Sequence, residues 1–143
     1  MKLTTLLQRV FYPPVDTLEA AERAIQNGGI AGWIMVAVHF LLGAFLIMLI
    51  IPGQDVVRGD ALWPATIQLF VAFVYGALAT YAWRGSRGAI TAMVVLLVFD
   101  TFVVIARVSG FDPQVAVHVA AIILAFGGLR GAFASAALYA SRD

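Results

Sequence analysis

The sequence contains no cysteine. Disulfide bonds, thiolate metal sites and cysteine nucleophiles are therefore excluded for this chain. Catalytic motifs are absent as well, since there is no GxSxG, HExxH or P-loop pattern and no pair of carboxylates within one predicted span. These absences predict a protein that is not an enzyme and that needs no cofactor.

Charged residues are scarce, at 12% of 143 residues, whereas 62% are hydrophobic. An ordinary soluble domain carries about 25% charged residues. The chain therefore has too little charge to cover a water-facing surface, and we expect the lipid bilayer to be its solvent. The formal net charge of +1 provides no broad basic surface, so nucleic acid is not an expected partner.

Four apolar segments are long enough to cross a bilayer, which takes about 20 residues per helix. They predict an all-α polytopic membrane protein, in which a four-helix transmembrane bundle occupies residues 30–143. The predicted spans are 30–51, 64–83, 89–108 and 114–139. Pro64 fits the first turn of the second span. For the fourth span we favour an end at Arg130, followed by a helix along the membrane surface over residues 132–139.

Residues 1–29 are predicted to form a short amphipathic helical arm that precedes the membrane. Apolar residues recur at helical spacing from Leu3 to Phe11, which is typical of a helix that lies on a leaflet. A second short helix is expected from Thr17 to Gln26, ended by Asn27, Gly28 and Gly29.

The distribution of Lys and Arg predicts the orientation, because cytoplasmic loops of membrane proteins are enriched in them. One side carries Lys2, Arg9, Arg23, Arg84, Arg87, Arg130 and Arg142, whereas the other carries Arg58 and Arg107. We therefore expect a protein of the bacterial cytoplasmic (inner) membrane with both termini in the cytoplasm.

Asp100 is the clearest polar residue inside a predicted span. It lies near the midplane, where an unpaired carboxylate costs roughly 2.5–3.5 kcal/mol or more, so it must be protonated, paired or hydrated. His39 and Tyr75 lie in the first two spans at depths compatible with contact to Asp100. Arg130 differs more in depth from Asp100, and its long side chain closes part of that distance. These four residues are the predicted intramembrane polar site.

Three interpretations of this site are open. The polar groups can be interhelical hydrogen bonds that fix the packing of the bundle, or they can form a proton or cation site between the helices. The third is an oligomer contact or a carboxyl group that is simply kept neutral. We favour the first. A dry and fully paired Asp100 would support the packing role, and a wet cavity open to one side would support transport.

His39 and His118 are candidates for axial haem ligands, since each is a lone histidine in an apolar span. Helix rise places them roughly 10 Å apart along the membrane normal, which disfavours a shared haem. Neither has a second histidine or a carboxylate at the next turn, so no metal site is expected.

Glycines in the spans predict close helix contacts, because the absence of a side chain lets backbones approach. Gly43 and Gly76 lie on small-residue faces of the first and second spans. Gly127 and Gly131 form a GxxxG pair in the fourth span, which is consistent with a dimerisation face, a kink or the end of the span.

Three segments carry a resemblance to a known family: Gln-Asn-Gly-Gly-Ile-Ala-Gly-Trp at 26–33, the basic turn at 81–89, and Gly-Leu-Arg-Gly-Ala-Phe-Ala at 128–134. The chain resembles a family of small four-helix bacterial inner-membrane proteins of unassigned function, which ends in a Gly-x-Arg-Gly-x-Phe-Ala motif. The resemblance implies that this motif marks the cytoplasmic exit of the last helix, and it implies no reaction. The chain departs from the family in its less basic tail and in Asp100, since that span is normally apolar.

Short loops and the lack of a catalytic motif favour a non-enzymatic accessory or scaffold protein. Its expected partners are the lipid bilayer and another membrane protein, or a second copy of the chain. The alternative is a small oligomeric proton or cation transporter or channel that uses Asp100. A third hypothesis is a haem- or quinone-binding membrane protein.

Overall fold

The computed structural model describes residues 13–50, 58–107 and 112–141. Their regular structure consists of four helices, α1 (Leu18–Ile50), α2 (Arg58–Trp83), α3 (Arg87–Arg107) and α4 (Pro113–Ala140). Each is long and apolar enough to cross a membrane. The predicted all-α bundle of four transmembrane helices is therefore confirmed.

The helices run alternately up and down, and α1 packs extensively against both α2 and α4. Helix α3 packs mainly against α4 and less against α2, so α1 and α3 lie diagonally across the bundle. We call the end at which α1 begins and α4 ends the termini side. The end at which α3 ends and α4 begins is the far side.

The interior of the bundle is built largely from small side chains, whereas large apolar side chains point outward. Ala24, Ala31, Ala79 and Ala125 are fully buried, and Phe73 and Phe133 are about 70% exposed (72% and 69%). In a bilayer the lipid tails are as apolar as the side chains, so helices associate through close packing of small residues. The distribution is that of a lipid-facing bundle.

Helix α1 continues through Gly28 and Gly29, so the predicted helix end at residues 27–29 is wrong. Both glycines are buried. A Cβ atom on Gly28 would lie 2.8 Å from the Cα atom of Gly128 in α4, which is closer than real Cβ contacts allow. These glycines therefore serve a helix crossing, and tertiary packing overrides their tendency to end a helix. The predicted amphipathic segment within residues 1–12 lies outside the described residues.

Helix α4 continues through Arg130 to Ala140, so the predicted end at Arg130 is wrong as well. A Cβ atom on Gly131 would lie 2.5 Å from the backbone oxygen of Ala21, which places this turn directly against the start of α1. Farther on, the Tyr139 hydroxyl donates a hydrogen bond to Glu22 at 3.1 Å. The last turns of α4 continue because the first turns of α1 extend alongside them.

The connections also differ in part from the prediction. Helix α2 begins at Arg58, six residues before Pro64, so this proline lies inside the helix. The basic turn forms as predicted between Trp83 and Arg87. It is made possible by Gly85, whose φ of +85° is rarely adopted by other residues.

The remaining predicted packing glycines lie at contacts within the chain. A Cβ atom on Gly43 would lie 2.9 Å from the side chain of Leu69, so α1 and α2 approach closely there. Gly76 faces Val36 with ordinary van der Waals spacing, 3.6 Å from its added Cβ. Gly127 is buried in α4.

Candidate functional site

Asp100 of α3 lies at the axis of the bundle, where side chains from the other helices meet it. The Nε2 atom of His39 in α1 is 2.7 Å from Asp100 Oδ2. The Nε2 atom of His118 in α4 is 3.2 Å from the same oxygen. The Tyr75 hydroxyl of α2 donates to this oxygen at 3.3 Å. One carboxylate oxygen is thus shared by three groups from three helices.

The partners of Asp100 are almost completely inaccessible. His39 is 3% exposed and both His118 and Tyr75 are fully buried, whereas the Asp100 side chain is 17% exposed. The structure brings together Asp100, His39 and Tyr75, as expected from their depths. We call the group formed by His39, Asp100 and His118 the His–Asp–His cluster.

Sequence reasoning missed His118 as a member of this cluster. The expected separation of about 10 Å from His39 is wrong, because the two ring centroids are 6.2 Å apart. The error came from counting the depth of His39 from a span that starts at Ile30, whereas α1 starts at Leu18. Depth measured from the far side would have predicted the contact. By helix rise, Asp100 is about 10 Å from the end of α3 and His118 is about 8 Å from the start of α4, so the two residues lie at similar depths.

Arg130 does not join the cluster. It lies twelve residues beyond His118 on the continuous helix α4, which corresponds to about 18 Å along the axis. The structure therefore separates Arg130 from the other three predicted site residues and places it toward the termini side.

Each histidine is oriented by a second contact at its Nδ1 atom. His118 Nδ1 is 2.9 Å from the backbone oxygen of Gln114, one turn earlier in α4. His39 Nδ1 is 2.5 Å from Oε1 of Gln68 in α2. The Tyr75 ring stacks on the His39 ring, with centroids 5.5 Å apart and planes inclined by 17°. These contacts fix both rings with Nε2 directed at Asp100.

The cluster has the donor atoms of a cation site. One nitrogen from each histidine and one carboxylate oxygen lie within 4.8 Å of one another. The sequence predicted no metal site because neither histidine has a second ligand one turn away on its own helix. In the structure the three ligands come from three different helices. The two nitrogens and the carboxylate oxygen can be held together by a bound cation, or by protons that form hydrogen bonds between them.

The same geometry bears on the haem hypothesis. Axial haem ligands approach the iron from opposite faces of a porphyrin, so the space between the two Nε2 atoms must be free for the macrocycle. Here that space contains Asp100 Oδ2, within hydrogen-bonding distance of both rings. The cluster is therefore arranged for a small cation and not for a haem.

A cavity of about 350 Å³ reaches the cluster between α2 and α3. His39, Gln68 and Asp100 line its inner part, and Arg107 and Gln114 line it where α3 ends and α4 begins. The remaining walls are apolar, and they include Val71 and Val103. Because Arg107 and Gln114 lie at the far side, the cavity extends from Asp100 toward that side of the bundle.

Compared with models of protein families, with curated proteins and with solved structures, the chain has no match. The resemblance to a family of small inner-membrane proteins therefore stays a prediction.

Proposed function

We propose that the protein is a small cation transporter or channel whose ion binds at Asp100. The observation that carries the proposal is the meeting of Asp100 with two histidines and a tyrosine at the inner end of a cavity. Intramembrane ionisable residues that face a cavity commonly mark ion pathways. The cavity is lined by Asp100 and also by Arg107 and Gln114, so it would give the ion a route toward the far side.

The cavity is the reason to favour transport over a purely structural role. Interhelical hydrogen bonds that only fix packing are best made in a dry interior, where each polar group is satisfied by another. Asp100 instead keeps part of its side chain exposed and lines the cavity. A space of about 350 Å³ has room for several water molecules, each of which occupies about 30 Å³ in the liquid.

The proposal includes the expected orientation in the bacterial inner membrane, with both termini in the cytoplasm. In that orientation the far side faces away from the cytoplasm, so the cavity would receive its ion from outside. An oligomer is part of the proposal, because four helices rarely enclose a complete pore. The scaffold function expected from the lack of a catalytic motif stays a prediction.

Ion flux into liposomes tests the proposal. The purified protein is reconstituted, and the entry of protons and of divalent metal ions is followed with dyes trapped inside. Asp100→Asn keeps the size of the side chain and one acceptor oxygen but removes its charge. We expect it to lower the flux about tenfold or more, since even outer contacts of a cation site change affinity by about 10–100-fold.

Asp112→Asn is the matched control. Asp112 accepts a hydrogen bond from the backbone N–H of Gln114 at the start of α4, and asparagine is an equally good residue at a helix N-cap. This variant should transport like the wild type. Equal flux in all three proteins, or no flux above protein-free liposomes, would rule out Asp100 as the binding group of a transporter.

A further inference from the structure

We infer that His39, Asp100 and His118 bind one divalent first-row transition-metal ion, such as Zn²⁺ or Fe²⁺. The inference rests on the proposed function, because it names the class of cation at the same site. It is argued from the hydrogen-bond partners of the histidines, from the distances between donor atoms and from the chemistry of the ligand set.

The Nδ1 contacts determine which nitrogen of each ring carries a proton. A backbone carbonyl only accepts hydrogen bonds, so His118 Nδ1 must donate to Gln114. The Gln68 side-chain amide lies against His39 Nδ1 and can accept from it through its oxygen, so this nitrogen can donate as well. In a neutral imidazole the other nitrogen then has a lone pair. Both neutral rings therefore direct a lone pair at the same carboxylate oxygen, which is itself negatively charged.

Three electron-rich atoms at this spacing repel one another unless positive charge lies among them. One proton satisfies only one of the two nitrogen–oxygen contacts. Two protons satisfy both, but they make two imidazolium rings that are 6.2 Å apart between centroids and almost fully buried. A single metal ion contacts all three atoms and leaves both rings neutral, which is how histidine binds metals.

One of the two distances to Asp100 Oδ2 fits coordination of a shared ion, and the other is shorter. Zinc bonds of about 2.0–2.1 Å in a tetrahedral site place neighbouring ligand atoms about 3.3 Å apart, and right-angle coordination places them about 2.9 Å apart. The separations in the cluster are 3.2 Å from His118 and 2.7 Å from His39 to Asp100 Oδ2. The contact from His39 is below both values, so it must lengthen when an ion is coordinated there.

The ligand set selects the class of metal. Mg²⁺ and Ca²⁺ are bound through oxygen atoms, whereas imidazole suits zinc, iron, copper and nickel. Two histidines and one carboxylate form the ligand set of many zinc and non-haem iron(II) sites. The hydrogen bonds from Nδ1 to carbonyl oxygens are the outer contacts that such histidines usually make.

The site also has a place for a further ligand. The Tyr75 hydroxyl is 3.3 Å from Asp100 Oδ2, and the exposed part of Asp100 lines the cavity, which is large enough to hold water. A metal bound by three protein ligands with an accessible remaining position can be exchanged, as a transported ion must be. A closed site with four protein ligands would retain it.

Metal binding by the full chain in detergent tests the inference. The purified protein is stripped of metals with a chelator, incubated with Zn²⁺ or Co²⁺ and desalted, and the metal content per chain is measured. We expect one ion per chain for the wild type and for Asp112→Asn, without competition from excess Mg²⁺. His118→Gln and Asp100→Asn should weaken binding about a hundredfold or more, since they remove direct ligands.

The wild type alone decides the question if the variants do not fold. Binding of one Zn²⁺ or Co²⁺ per chain by the wild type, whose two histidines are both in the cluster, supports the inference, and the absence of uptake by the folded wild type overturns it. Proton flux without metal uptake would overturn the inference and leave the proposed transport intact. Metal uptake without flux of any cation would support the metal site and refute transport.

Discussion

The contact between α1 and α4 at Gly131 provides a stability test with a matched control. We consider Gly131→Ala, which adds one methyl group to the turn of α4 that faces the start of α1. The new Cβ would lie 2.5 Å from the Ala21 oxygen, 2.8 Å from the Ala24 Cβ and 3.1 Å from the Ile25 nitrogen. Two of these neighbours are backbone atoms, so the clash is relieved only if the helices move apart.

The magnitude follows from two opposing effects. Alanine is favoured over glycine within a helix by about 0.5–1 kcal/mol, which stabilises the variant. Adding a methylene-sized group to a well-packed interior costs about 1–3 kcal/mol, and the rigid backbone contacts place Gly131 at the upper end. We therefore expect Gly131→Ala to lower the free energy of unfolding by about 2 kcal/mol.

Gly88→Ala is the control, because it makes the same substitution in a helix with no atom within 4 Å of the added Cβ. It should be neutral or stabilising by up to about 1 kcal/mol. Unfolding in mixed micelles by increasing amounts of SDS, followed by circular dichroism, measures both free energies. If Gly131→Ala is as stable as Gly88→Ala, the close approach of α1 and α4 does not exist in the folded protein.

Two further predictions concern the surroundings of the cluster. Gln68→Leu removes the oxygen that orients His39, so we expect the affinity for Zn²⁺ to fall about 10–100-fold, and unchanged affinity would show that this contact has no role. Tyr75→Phe removes a hydrogen bond to Asp100 but keeps the ring, so the free energy of unfolding should fall by about 0.5–1.5 kcal/mol. Tyr139→Phe is its control and should cost less, since that hydroxyl bonds an exposed partner; equal losses in the two variants would contradict the importance of the buried bond.

The four spans were predictable from the sequence because apolar runs of sufficient length have few alternatives in a chain so poor in charge. The basic turn was predictable for a local reason, since Gly85 permits a backbone conformation that ends α2. The helix ends near Gly28 and Arg130 were not predictable. In both places a local signal for termination is overridden by contact with a helix about 100 residues away in the chain.

The site was predictable only in part. Depth along each span identified Asp100, His39 and Tyr75, because a polar side chain in a bilayer needs a hydrogen-bonding or charged partner at a similar depth. His118 was missed because its depth was compared with a misplaced start of α1. The outer contacts of the histidines depend on side-chain direction, and the spacing of residues along a sequence does not contain that information.

The distribution of the cluster over three helices has a consequence for the order in which the protein is assembled. Among the helices of the described residues, His39 is in the first along the chain, Asp100 in the third and His118 in the fourth. Until α4 is inserted, Asp100 has only His39 and Tyr75 as partners and lacks its second histidine. The last helix, which also packs against α1, therefore both closes the bundle and completes the pairing of the buried charge, so an incomplete chain is energetically distinct from a finished one.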